Sequence, residues 1–294
     1  MSVVRVGGRR ARYRVTGSGE PVLLLHGIGR SLDDWAEQHD LLDGFRVYSV
    51  DLAGFGESDP LPGRAALPPL AEFVREFLDA VGETRPVHVV GNSLGGAVAM
   101  LLALRYPTRV RTMVLANSAG FGREVTVALR ILALRPLGRL LLRPSRTGSR
   151  RTERAIFRDA RFVTEERVDR AFRLASRPHG ARVMVDLCRS LGTVRGVRQP
   201  WRDAVLTATA AAAVPTLVVW GSHDLILPAA HLEAARTLLP HARTHLFENT
   251  GHMPQIERAE EFADLIREFW AQSVPNSPDS TVGPVRREPR SVID

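Results

Sequence analysis

The sequence contains no lysine and a single cysteine, Cys188, among its 294 residues. One cysteine excludes an internal disulfide and a cysteine-rich metal site, and we expect it to be a small buried apolar side chain. No apolar run approaches the roughly 20 residues of a membrane-spanning helix, and the first residues lack the apolar core of a secretion signal. These absences predict a cytoplasmic globular protein, and no motif calls for a cofactor or a metal.

The basic residues are all arginine, 40 in number, so a single arginine is weak evidence of function and their distribution is more informative. Residues 121–203 hold 20 arginines against eight acidic residues, a balance of +12, while the rest of the chain carries −4 of the net +8. This basic segment has no interleaved aromatic residues and no nucleic-acid motif, so we expect no nucleic-acid partner.

Strand and helix signals alternate over residues 1–120 and again over residues 206–272. This alternation indicates an α/β fold, a mostly parallel sheet with helices on both of its faces. Residues 121–205 differ, because they have helical apolar spacing and almost no strand signal, and we predict that they form a helical cap inserted in this core. Residues 273–294 are rich in proline and serine, which predicts a disordered tail.

Two helices show how these predictions are made. Apolar residues recur at helical spacing from Leu70 to Val81 and predict a helix over residues 68–81. A second helix is predicted over residues 31–42, with Ser31 as its N-cap. In the predicted cap, residues 125–144 combine apolar residues with arginines. We interpret them as a cap helix packed on the core, and a lid that touches a membrane surface is the alternative.

A serine stands where a strand signal changes to a helix signal, in the run Gly-Asn-Ser-Leu-Gly of residues 91–95. Gly91 and Gly95 allow a sharp turn without Cβ clashes. Such a turn presents the hydroxyl of Ser93 at the carboxyl edge of the sheet, where open α/β sheets bind ligands. It also places the backbone N–H of Leu94 at a helix N-terminus, where negative charge is favoured.

A serine nucleophile needs a base, usually a histidine that an acid orients. His252 lies in a glycine-containing loop after a predicted strand, whereas His26 follows a strand in LLLHGIG and could brace that loop instead. Asp224 comes just after the strand VPTLVVW, between Ser93 and His252 in the chain, which is the order of one class of triads. We predict a catalytic triad of these three residues, with the N–H groups of Ile28 and Leu94 as the oxyanion hole.

The motifs resemble those of the α/β-hydrolase superfamily over nearly all of residues 1–272. LLLHGIG resembles its oxyanion loop, DLAGFGESD the loop after its fourth strand, GNSLGG its nucleophile elbow, and WGSHD and GHMPQIE the loops of its acid and histidine. The resemblance implies an α/β-hydrolase fold with an eight-stranded, mostly parallel sheet and a helical cap. It assigns the family's roles to Ser93, Asp224, His252, Ile28 and Leu94. We expect Asp51, in the second motif, to be structural.

We expect a serine hydrolase that cleaves carboxylic esters of a small molecule through an acyl-enzyme. A carbon–carbon hydrolase of the meta-cleavage type is the first alternative, since GNSLGGAVAMLLALRYPTRV and GHMPQIE resemble those enzymes too. Many of them carry tryptophan after the catalytic histidine, where this chain has Met253. A ligand receptor that keeps an intact hydrolase pocket is the other alternative. The sequence leaves substrate identity, acyl chain length, chirality and oligomeric state open.

Overall fold

The structure is a computed structural model that describes residues 1–134 and 142–273. The predicted tail lies outside these residues except for Ser273, and residues 135–141 of the predicted cap lie outside them as well. Within the described residues, no helix is both long enough and apolar enough to cross a membrane.

Eight strands form one sheet in the spatial order β1-β2-β4-β3-β5-β6-β9-β10, and β7 and β8 form a separate hairpin. The strands are β1 (Ser2–Val6), β2 (Arg9–Thr16), β3 (Glu20–Leu25), β4 (Phe45–Val50), β5 (Val87–Asn92), β6 (Val110–Ala116), β7 (Gly192–Thr193), β8 (Gly196–Val197), β9 (Thr216–Gly221) and β10 (Arg243–Phe247). β2 pairs antiparallel with β1 and with β4, whereas every later pair of neighbours in the large sheet is parallel. The predicted eight-stranded, mostly parallel sheet is confirmed.

Helices pack on both faces of this sheet. The α-helices of the described residues, including those of residues 121–205, are α1 (Ala36–Leu41), α2 (Leu67–Ala80), α3 (Leu94–Arg105), α4 (Val127–Leu132), α5 (Arg146–Ile156), α6 (Glu165–Ala175), α7 (Gly180–Leu191), α8 (Gln199–Ala212), α9 (Ala230–Leu238), α10 (Pro254–Glu257) and α11 (Ala259–Ser273). Alternate residues of β3 enter different apolar layers, because successive side chains of a strand point to opposite faces. Leu23 and Leu25 pack with α2 and α3, while Val22 and Leu24 pack with α11.

Two local predictions need correction. The helix expected over residues 31–42 begins as a 3-10 turn, Leu32–Trp35, before α1. Ser31 occupies the N-cap position, but its hydroxyl donates to Asp33 Oδ2 at 2.9 Å and makes no capping bond. The near absence of strand signal in residues 121–205 concealed the β7–β8 hairpin, because two-residue strands are too short to show a periodicity.

Two buried histidines form hydrogen bonds between segments that are distant in the chain, in or next to β2, β3 and β4. The Nδ1–H of His26 donates to the carbonyl of Gly27 at 2.7 Å, and its Nε2 accepts from the N–H of Leu52 at 2.9 Å. His39 is hydrogen-bonded to Thr16 and to Ser49. Burial lowers the pKa of each histidine to about 4, so both are neutral at pH 7.

These histidines predict that the protein loses stability in mild acid. A lowered folded-state pKa gives a contribution that is complete above the unfolded pKa, near 6.5, and is lost as pH falls towards 4. His26→Gln keeps a donor and an acceptor but cannot titrate. Between pH 7 and pH 5, we expect the free energy of unfolding to fall by about 1–2 kcal/mol less in His26→Gln than in the wild type. Urea unfolding at several pH values measures it.

The matched control is His241→Gln, since His241 is exposed. Its pH dependence should equal that of the wild type. If His26→Gln shows the same acid dependence as the wild type, His26 does not carry this effect.

Candidate active site

Ser93 stands in a strained turn between β5 and α3. Its φ of 55° and ψ of −113° lie in a region that residues other than glycine rarely adopt. The N–H of Ser93 donates to the carbonyl of Ala116 at 3.0 Å, and its own carbonyl accepts from the N–H of Ala119 at 3.0 Å. Both bonds tie the turn to the end of β6 and thereby hold this backbone conformation.

The glycines on either side of Ser93 leave space for the close packing of strand and helix. A Cβ atom on Gly91 would lie 2.4 Å from the carbonyl carbon of Gly95, and one on Gly95 would lie 2.2 Å from the carbonyl oxygen of Leu25. Real Cβ atoms do not approach backbone so closely, so a side chain at either position would displace the elbow. This supplies the physical reason for the Gly-x-Ser-x-Gly pattern in this chain.

His252 and Asp224 form a buried hydrogen-bonded pair. His252 Nδ1 lies 2.7 Å from Asp224 Oδ2. Asp224 Oδ1 accepts from the N–H groups of Ile226 at 2.7 Å and Leu227 at 3.0 Å. Because the backbone of its own loop fixes the carboxylate, it can hold the imidazole in one orientation, with Nε2 as the ring nitrogen left for a reacting group.

The structure brings Ser93, Asp224 and His252 to the carboxyl edge of one sheet, after β5, β9 and β10 respectively. Within the described residues, no hydrogen bond joins Ser93 Oγ to His252 Nε2. Nucleophile and base are often farther apart before substrate binds than during the reaction. The three residues therefore have the order in the chain, the shared sheet edge and the acid–histidine hydrogen bond that are typical of a catalytic triad.

The loop that follows β3 lies against Ser93. A Cβ atom on Gly27 would lie 3.3 Å from Ser93 Cβ, and His26 braces this loop through the two hydrogen bonds described above. The backbone N–H groups of Ile28 and Leu94 have no acceptor in the part of the chain that the structure describes. Both donors are therefore available to a developing negative charge beside Ser93.

Two asparagines that we did not predict support the site. Asn117 Nδ2 donates to Asp224 Oδ2 at 2.7 Å, and Asn92 Nδ2 donates to the carbonyl of His252 at 3.0 Å. Asn117 directly follows β6, so it reaches the same sheet edge as the predicted triad. A polar residue just after a buried parallel strand was the signal that could have identified it.

A pocket opens over Ser93 and is mostly apolar. Apolar side chains from the core and from residues 121–205 line it: Ile28, Leu94, Ala119, Val125, Leu129, Leu191, Val197, Trp201, Ile226 and Leu227. Cys188 lines it as well, and burial raises the pKa of this thiol to about 12, so the sulfur is protonated. Arg130 is the one arginine of the described residues in this lining.

Asp51 has the structural role expected of it. Its carboxylate accepts from the N–H of Leu32 at 2.7 Å and from the N–H of Glu57 at 2.8 Å. Burial raises its pKa to about 6. These bonds connect the loop after β4 to the loop after β3. Asp51 does not line the pocket over Ser93.

Comparisons with known proteins agree with this architecture. The chain matches the family model described as "alpha/beta hydrolase fold" over residues 20–259. It is 35% identical over 264 residues to the dihydrolipoyllysine-residue acetyltransferase component of the acetoin cleaving system of Cupriavidus necator, across 89% of this chain and 67% of that protein. It is 31% identical over 277 residues to the 2-hydroxymuconate semialdehyde hydrolase of Pseudomonas sp. strain CF600, across 90% of this chain and 92% of that enzyme.

A solved structure is similar over almost the same length. The meta-cleavage product hydrolase of Pseudomonas fluorescens IP01 superposes with a TM-score of 0.74 at 26% identity, across 93% of this chain and 98% of that one. The family match, the sheet order and the position of Ser93 at the turn after β5 lead to one conclusion: this chain belongs to the α/β-hydrolase fold family.

Proposed function

We propose that the protein is a serine hydrolase that cleaves carboxylic esters through an acyl-enzyme. The observation that carries the proposal is the convergence, at one sheet edge, of a strained serine, a histidine hydrogen-bonded to a buried aspartate, and two unused backbone donors. We also propose that residues 121–205 act as a cap, since several of them line the pocket over Ser93.

In the proposed reaction, Ser93 Oγ attacks the ester carbonyl carbon while His252 Nε2 takes the hydroxyl proton. The carbonyl oxygen becomes an oxyanion that accepts from the N–H groups of Ile28 and Leu94. His252 then gives its proton to the departing alkoxide, which leaves as an alcohol. Water attacks the acyl-enzyme by the same steps and releases the acid and Ser93.

Replacement of the proposed nucleophile should abolish both turnover and covalent labelling. We expect Ser93→Ala to lose roughly 10⁶ in kcat, His252→Ala a similar amount, and Asp224→Ala about 10⁴. A fluorophosphonate probe should label the wild type at Ser93 and leave Ser93→Ala unlabelled. Mass spectrometry of the labelled peptide measures the position.

Ser118→Ala is the matched control, because Ser118 is also buried and follows the neighbouring strand β6, where its hydroxyl donates to the carbonyl of Ala119. This variant should be labelled like the wild type. Normal labelling of Ser93→Ala would show that Ser93 is not the nucleophile.

The second candidate function is hydrolysis of a carbon–carbon bond. The names of the similar hydrolases described above favour it, since one acts on 2-hydroxymuconate semialdehyde and the other on meta-cleavage products. Met253 favours the ester hydrolase, because it directly follows His252, at the position where many meta-cleavage hydrolases carry tryptophan. Its side chain is buried against Ile156, Phe157 and Ile256.

One experiment separates the two candidates. The wild type is assayed with p-nitrophenyl esters of increasing acyl length and with a 2-hydroxy-6-oxo-dienoate, and Ser93→Ala is assayed with both. We expect the larger kcat/KM for an ester with an apolar acyl group, because the pocket lining is apolar. A larger value for the dienoate would establish the second candidate, and no turnover of either substrate would favour a ligand receptor.

Several arginines of residues 121–203 form ion pairs on the surface. Arg146 and Arg150 pair with Glu165, for example, and Arg170 pairs with Glu166. Arg130 instead lines the pocket over Ser93. The balance of +12 in residues 121–203 suggests a preference for anionic substrates, and we propose that Arg130, rather than the charge of the whole segment, carries this preference.

This proposal predicts a change in substrate preference. Arg130 Nε donates to the carbonyl of Val194 at 2.7 Å, and Arg123 Nε donates to the carbonyl of Arg195 at 2.8 Å in the same hairpin turn, but Arg123 does not line the pocket. We expect Arg130→Gln to lower kcat/KM about tenfold for a carboxylate-bearing ester relative to a matched neutral ester. Arg123→Gln should leave this ratio unchanged. Equal ratios in both variants and the wild type would contradict the proposal.

A further inference from the structure

A buried carboxylate outside the proposed triad joins two loops of the site. Glu257 ends α10, five residues after His252, and its side chain is buried. Its Oε1 accepts from the N–H of Gly251 at 2.7 Å. Its Oε2 accepts from the N–H groups of Arg158 at 2.9 Å and Asp159 at 3.0 Å. One side chain therefore connects the histidine loop to the segment that follows α5 in the insert of residues 121–205.

A second hydrogen bond joins the same two segments. The N–H of His252 donates to the carbonyl of Ile156 at 2.7 Å. A Cβ atom on Gly251 would lie 2.6 Å from that carbonyl oxygen and 2.7 Å from the nitrogen of Arg158. The two backbones are thus packed so closely that only glycine fits between them.

The backbone of His252 is held from the opposite side by the nucleophile elbow. Its carbonyl accepts from Asn92 Nδ2 at 3.0 Å, and Asn92 is the residue before Ser93. The insert therefore fixes the amide of His252, while the elbow fixes its carbonyl. Loss of either anchor would let the imidazole move relative to Ser93.

The same end of α5 also contacts the loop of the proposed oxyanion hole. Glu153, fully buried, forms an ion pair with Arg30, which stands two residues after Ile28 and also pairs with Asp34 at 2.7 Å. One short stretch of the insert, Glu153 to Asp159, thus contacts both loops that flank Ser93.

Glu257 has backbone N–H groups and no cation as hydrogen-bond partners in the described residues, and burial raises its pKa. A buried carboxylate with three well-placed donors is stable only while both loops stay in contact, because separation leaves polar groups without partners. The proposed mechanism assigns no proton transfer to this group. Its contacts instead make the position of His252 depend on the position of the insert.

We propose that Glu257 is a positioning residue, which holds His252 in its working position by tying the histidine loop to residues Ile156–Asp159 of the insert. The inference rests on the proposed function, since it takes His252 as the base. It requires that the insert be seated on the core before Ser93 can be activated.

The test compares Glu257→Gln with the wild type and with Glu83→Gln. Glutamine keeps the size of Glu257 but replaces one acceptor oxygen with an NH₂ group, which cannot accept from an N–H. Glu83 is also buried and accepts from the N–H of Arg85 at 3.1 Å, but it precedes β5 and so lies at the opposite edge of the sheet from Ser93.

We expect Glu257→Gln to lower kcat about tenfold or more, with KM within about twofold, since a small misplacement of the base affects the chemical step. Its rate of fluorophosphonate labelling should fall by a similar factor in protein that is folded by circular dichroism. Hydrogen exchange should be faster in the peptides that contain Ile156–Asp159 and Gly251–Met253 together. Glu83→Gln should show none of these changes.

Normal kcat and normal labelling in Glu257→Gln, with only a lower unfolding temperature, would show a purely structural role and overturn the inference. Exchange that rises in one of the two peptides alone would also overturn it. If the wild type itself is not labelled, the proposed function fails, and the exchange of the two peptides still decides whether Glu257 couples the loops.

A second variant covers the case in which Glu257→Gln does not fold. Glu257→Asp keeps the carboxylate but shortens its reach by one methylene, so it cannot bridge both loops at hydrogen-bond distance. It should show the same selective loss of kcat and the same paired rise in exchange. A fully active Glu257→Asp with unchanged exchange would contradict the bridging role.

Discussion

The hydrogen bond between His252 Nδ1 and Asp224 Oδ2, 2.7 Å long, is the interaction around which the site is organised. It is buried, so the remaining acceptor positions of the aspartate must be satisfied locally. Two backbone N–H groups and Asn117 satisfy the aspartate. The bond can form here because β9 and β10 are adjacent and parallel, so that the loops after them meet at one edge of the sheet.

Further hydrogen bonds fix the residues around this pair. His252 is fixed by Ile156 on one side and by Asn92 on the other, and Glu257 holds the loop in which it lies. Ser93 is kept in an unfavourable backbone conformation by bonds to the end of β6. Backbone strain of this kind costs about 1–3 kcal/mol of folding free energy, and it persists because several independent contacts with the surrounding structure fix the turn. The sheet is therefore the scaffold for the loops at its carboxyl edge, which hold the residues of the proposed triad.

The sequence was informative where patterns are local. Alternating strand and helix signals predicted the mostly parallel sheet, helical spacing predicted α2, and the strand-to-helix change at Gly91–Gly95 placed Ser93 at a turn. The count of eight strands came from the resemblance to the α/β-hydrolase superfamily. The sequence was uninformative where partners are distant in the chain. Glu257 and Arg158 are 99 residues apart, and nothing near either residue indicates the other. The β7–β8 hairpin was missed because two residues cannot show a period.

In the proposed mechanism, Ser93 attacks a carbonyl carbon whose oxygen is bound by the N–H groups of Ile28 and Leu94. A crystal structure of the protein after reaction with a phosphonate ester tests it most directly, because the adduct resembles the tetrahedral intermediate. We expect phosphorus bonded to Ser93 Oγ, with one phosphoryl oxygen about 3 Å from the backbone nitrogens of both Ile28 and Leu94. An adduct on another residue, or an oxygen that faces away from these two N–H groups, would contradict it.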